Sequence, residues 1–97
     1  MTPIERNRVI CRIWNRKSAE YDAVCSTVGA VAARLTEGPG FRSMHEDLFR
    51  AAVLRISARL AVEEGGPSSG DVLGWLRREA RAVAMDLTAE RASASAA

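Results

Sequence analysis

Residues 45–47 place the chain's single histidine, His45, directly before two carboxylates, Glu46 and Asp47. A His-Glu-Asp string carries the residue types of acid–base catalysis or of a metal site. On a helix, however, neighbouring residues point in different directions, so these three cannot converge on one substrate or ion. The carboxylates more simply suit the positive end of a helix that begins here. Cys11 and Cys25 are the only cysteines. On one continuous helix they would stand about 21 Å apart along the axis, beyond disulfide reach. One histidine and two distant cysteines do not make a structural zinc site. The spacing assembles no Ser-His or Cys-His pair, although Cys25 and His45 could meet in space. The glycine turns Gly38-Pro39-Gly40 and Gly65-Gly66 follow no strand and lack the lysine-serine/threonine ending of a phosphate loop. The expectation is therefore a protein that is not an enzyme and takes no metal, cofactor or small-molecule substrate.

What remains is surface chemistry. Arg8, Arg12 and Arg16 recur every four residues, with Asn15 and Lys17 beside them. On one helix face their bases would be about 6 Å apart, a spacing that can track a phosphate backbone or an acidic protein groove. The same stripe also fits an ordinary solvated face. Residues 1–17 carry a net +4, residues 18–40 a net −2, and the remainder balances, so any steering of a partner comes from the N-terminal end. No zinc-finger or RNA-recognition pattern accompanies the stripe. The Gly65–Gly70 connection is longer than a helix-turn-helix uses. Trp75, with Arg78 and Met85, is the second candidate, because tryptophan, arginine and methionine are enriched in interface cores.

These side chains need helices to position them. Ninety-seven residues suffice for one domain, and 47% apolar content argues against disorder. No apolar run approaches the roughly 18 residues of a membrane span. The opening residues lack the apolar segment of a signal peptide, so a cytoplasmic location is expected. Thirteen arginines against one lysine, with seventeen alanines, suggest a GC-rich bacterial coding bias.

Thr2-Pro3-Ile4-Glu5 reads as a capping box with proline at the first helical position. Ile10, Trp14, Tyr21, Val24, Val28, Val31 and Leu35 then keep a 3-4 alternation as far as Gly38-Pro39-Gly40. Lys17 interrupts that seam between Trp14 and Tyr21. The helix therefore either continues, with Lys17 snorkelling, or breaks near Asn15-Arg16-Lys17-Ser18, with Ser18 capping a second segment. The unbroken phase of the apolar arc favours a continuous or kinked helix. The second helix is predicted from Ser43, boxed with Glu46, to Glu64, and it ends at Gly65-Gly66-Pro67. The third starts at Ser69 or Asp71 and runs to about Arg91, with Val72, Leu73, Leu76, Ala80, Val83, Ala84 and Leu87 inward and Trp75, Arg78 and Met85 on the far side. The sequence thus predicts an all-α, antiparallel three-helix bundle with a long first helix, or four helices if that helix breaks near Lys17. Residues 1–91 form a single domain, and 92–97 a disordered Ser/Ala tail.

A straight first helix would be about 50 Å long, against about 30 Å for each of the others. Its surplus, containing Ile10, Ile13 and Trp14, is too apolar to leave in water. That mismatch predicts a self-associating or partner-binding protein, with a homodimer as one form. The expected role is a protein-binding, regulatory module, such as a phage- or mobile-element-encoded inhibitor or adaptor of a larger complex. The alternative is nucleic-acid binding through Arg8, Arg12, Arg16 and Lys17.

Overall fold

The computed structural model describes residues 2–35, 38–62 and 70–96. It contains four helices: α1 (Pro3–Ile13), α2 (Ala19–Leu35), α3 (Pro39–Ala61) and α4 (Val72–Ala96). No strand occurs among the described residues. The all-α class holds, while the three-helix count gives way to four.

α1 begins as its sequence dictates. Thr2 accepts from the Glu5 backbone N–H at 3.2 Å, and the Glu5 carboxylate accepts from the Thr2 N–H at 3.4 Å. It ends at Trp14, and the cause is local. The Asn15 side-chain oxygen accepts from the Lys17 N–H at 3.0 Å, and Ser18 Oγ accepts from the Tyr21 N–H at 3.0 Å. Ser18 Oγ also reaches the Arg12 and Asn15 carbonyls. Short polar side chains thus offer the backbone partners that compete with a helical ladder, and Ser18 caps the next helix. The favoured continuous helix is overturned: Lys17 sits in an exposed turn, not in a seam.

α3 starts four residues earlier than its sequence predicts. Pro39 takes the first turn, and Gly38, at φ 77°, adopts a conformation open to glycine at little cost. Ser43 is therefore inside the helix and caps nothing, and Glu46 lies beyond the first turn. The predicted end at Glu64, the Gly65-Gly66-Pro67 stop and the Ser69 cap lie outside the described residues. α4 extends to Ala96, through residues that composition assigns to a tail.

α2, α3 and α4 each contact the other two, and α1 lies across α2 and α3 without touching α4 among the described residues. α2 and α3 are antiparallel, since Tyr21 meets Phe49 while Cys25 meets His45. α3 and α4 are antiparallel as well, with Arg59 on Glu79 and Arg55 on Glu90. The core gathers Val9 and Ile13 from α1, Val24, Val28 and Val31 from α2, Leu48, Val53, Ile56 and Leu60 from α3, and Leu76, Ala80 and Val83 from α4. Each large side chain fully buried here contributes about 1.5–3 kcal/mol.

This packing covers most of the geometric surplus. The break folds α1 back over the bundle, Ile13 becomes fully buried, and Ile10 packs partly against the core. Trp75, placed on the far side by helical phase, is only 8% exposed and belongs to the core. α4 packs against two helices, so its buried arc is wider than one stripe, and a large indole reaches in from the arc's flank.

Candidate functional site

The break between α1 and α2 creates an open groove of about 680 Å³. Trp14 and Arg16 come from the turn, Tyr21 and Cys25 from α2, and Arg42, His45, Glu46, Phe49 and Arg50 from α3. Trp14 is half-exposed, at 50%, where the helix ends. Beneath it, Tyr21 and Phe49 pack edge to face with centroids 5.1 Å apart. Phe41 stacks on His45 at 5.6 Å, which fixes the imidazole plane.

His45 fastens α3 to α2. Its Nε2 lies 3.1 Å from the Cys25 carbonyl oxygen and 3.6 Å from the Cys25 Sγ. A carbonyl can only accept, so Nε2 carries a proton and donates to it, with the sulfur as a second, weaker acceptor. Gly29, one turn further along α2, faces the same ring, and a Cβ there would stand 3.4 Å from Nε2, at ordinary contact distance. The Tyr21 phenol is held above its ordinary range. The largest cause is the Cys25 side chain one turn on, which keeps the proton on the phenol; partial burial and negative charge on that thiol add to it, and Arg16 opposes.

The charge is uneven. Among the described residues, Arg16, Arg42 and Arg50 line the groove against the one carboxylate of Glu46, and no ion pair within 4 Å joins these arginines to a described carboxylate. Such a surface combines flat apolar rings with planar cations. It suits a carboxylate- or phosphate-bearing ligand that also offers an apolar group.

The predicted site residues fare differently. The stripe Arg8, Arg12, Arg16 does not exist as one helix face, because α1 stops at Ile13 and Arg16 turns to the groove. Arg12 pairs with Glu20 at 3.6 Å, while Arg8 and Lys17 are exposed. Arg78 pairs with Asp71 at 2.8 Å, Met85 is 49% exposed, and buried Trp75 separates from both. Of the residues singled out above, Trp14 and Arg16 come together in the groove, and Cys25 meets His45 there. The sequence does not single out Arg42 and Arg50, and the available signal is their i, i+8 spacing on one face of α3.

His45, Glu46 and Asp47 do not converge into a metal site, and no group of three or more potential ligands does so among the described residues. No described helix is long and apolar enough to cross a membrane. No protein-family model matches the chain, and no curated protein or solved structure matches it either.

Proposed function

We propose that this chain is a small non-enzymatic binding module whose α1–α2–α3 groove receives an acidic segment of another protein, with an apolar residue of that segment seated against Trp14. The observation that carries this reading is the half-exposed Trp14 above a groove lined by three arginines and one glutamate. An exposed indole beside a pocket is the usual form of an interface anchor. The arginines supply steering and planar contacts to carboxylates. The role of an adaptor or inhibitor of a larger complex fits such a groove. Self-association loses much of its original basis, because Ile13 is buried and Ile10 packs partly against the core, leaving Trp14 half-exposed, and light scattering is expected to give a monomer.

Nucleic-acid binding is the less favoured reading, since the helical arginine stripe that motivated it is broken and Arg12 is engaged by Glu20. One experiment separates the two. In a Trp75→Phe protein, Trp14 is the sole tryptophan and reports directly on the groove. Titration with Glu- and Asp-rich peptides containing a central leucine should shift its emission, and charge-reversed Lys-rich peptides should not. A response to duplex DNA, with a log–log salt slope of about −3.6 for roughly four phosphates, together with none to acidic peptides, would refute the peptide reading.

A further inference from the structure

The groove contains a nucleophile that its role as a binding surface does not use. Cys25 is partly exposed and lines the groove, with the His45 Nε2 at 3.6 Å from its sulfur and Arg16, Arg42 and Arg50 around the same space. Cys11 is also free but stands on α1 outside this groove. We propose that Cys25 is a site of thiol–disulfide exchange with small anionic disulfides, meaning peptide-sized disulfides that carry carboxylates.

The chemistry balances as follows. Cys25 releases its proton to solvent, and its thiolate attacks one sulfur of the incoming disulfide. A new bond joins Sγ to that sulfur while the original S–S bond breaks. The departing half leaves as a thiolate, is reduced, and takes up a proton from solvent; Cys25 is oxidised to a mixed disulfide. During the exchange, negative charge spreads over three sulfurs in line. The His45 N–H faces the attacking one, and the arginines face the carboxylates that the disulfide brings. Tyr21 and Phe49 give the incoming chain an apolar wall. The 680 Å³ space admits a molecule of this size without opening the bundle. This reaction does not depend on which protein segment the groove receives, although a mixed disulfide at Cys25 would occupy the same volume.

The test uses the full chain carrying Cys11→Ser, so that Cys25 is the only thiol, and a Cys25→Ser chain in which only Cys11 remains. Each reacts with two aromatic disulfides: dithiobis(nitrobenzoate), which bears two carboxylates, and uncharged dithiodipyridine. Released thiol gives the rates, and intact mass identifies the adduct. The ratio of anionic to neutral rate at Cys25 is expected to fall about tenfold when Arg42 and Arg50 both become Gln, and to collapse similarly near 1 M salt. Both arginines are exposed, so circular dichroism should be unchanged; Arg16→Gln, in the turn, gives an independent smaller fall. His45→Gln should slow both probes together, because it removes the donor facing the sulfur and not the steering charge. The proposal is overturned if the ratio ignores the arginine substitutions, if His45→Gln leaves both rates unchanged, or if Cys25 stays unmodified while Cys11 is consumed.

Discussion

α3 carries arginines on two sides, and the molecule uses them in opposite ways. Toward α4, Arg59 meets Glu79 at 2.6 Å and Arg55 meets Glu90 at 3.5 Å. Toward the α1–α2 turn, Arg42 and Arg50 look into the groove beside Arg16, with Glu46 as the only carboxylate lining it among the described residues. Residues 41–97 sum to zero charge, so net charge cannot distinguish the two sides. The first side spends its arginines on carboxylates of its own chain. On the second, no ion pair within 4 Å joins them to a described carboxylate. Apolar packing follows the same division, since Leu76, Ile56 and Leu60 are fully enclosed, whereas Trp14 stays half in water.

Ile56→Ala, in the enclosed part, should have the largest effect. Its side chain is fully buried, so the substitution should cost about 2–5 kcal/mol in transfer and cavity terms, read as a lower urea midpoint. Trp14→Ala should separate stability from binding. Half-exposed, it should lower stability by less than about 1 kcal/mol, yet weaken capture of an acidic peptide by tenfold or more, about 1.4 kcal/mol, as an interface anchor does. A large stability loss with unchanged peptide affinity would make Trp14 a core residue and erase the division between the two sides.

Much of this division was hidden from the sequence for identifiable reasons. The Thr2-Pro3-Ile4-Glu5 start and the inward positions of α4, Leu76, Ala80, Val83 and Ala84, follow from capping chemistry and period alone. The break at Asn15–Ser18 was legible as an anomaly, because Lys17 sits where an apolar residue belongs, and Ser18 was recognisable as a possible cap. Periodicity chose wrongly between the alternatives, since it records apolar phase and not the side-chain hydrogen bonds of Asn15 and Ser18 that stop the helix. The groove is a tertiary object. Its residues come from a turn, from α2 and from α3, and no spacing rule spans all three. Trp75 was misplaced because a single-face template assumes one neighbour, while α4 has two.

Smaller effects refine the division. Removing the α3–α4 ion pair by Arg59→Ala should cost about 0.2–1 kcal/mol, and less at high salt, because the Arg59 side chain is mostly exposed. Gly29→Ala tests the groove's own strictness. Replacing a helix-interior glycine should stabilise α2 by about 0.5–1 kcal/mol. The new Cβ would sit 3.4 Å from the His45 ring, an ordinary contact. A measured loss in thermal or urea stability would mean that His45 needs the missing methyl's space to hold the Cys25 carbonyl.

Tyr21 gives the finest probe, because it is the chain's only tyrosine and its phenolate absorbance reads the groove directly. Its folded pKa lies above the ordinary value of 10.0, with Cys25 as the largest cause. A raised pKa means that the folded state holds the phenol proton more tightly than the unfolded state does. The associated stability is therefore fully present below about pH 10 and is lost as pH rises through the folded midpoint. Titration of the folded chain should give a midpoint above that of the denatured chain, and Cys25→Ala should bring it back toward the denatured value. Arg16→Gln should move it the other way, upward, because Arg16 is the one group that favours the phenolate. Opposite displacements by these two substitutions would place the Cys25 thiol and the Arg16 charge around the same ring. Equal displacements, or none, would mean that the turn at Asn15–Ser18 does not deliver Arg16 to the groove, and the contrast between the two sides of α3 would lose one of the three arginines that line it.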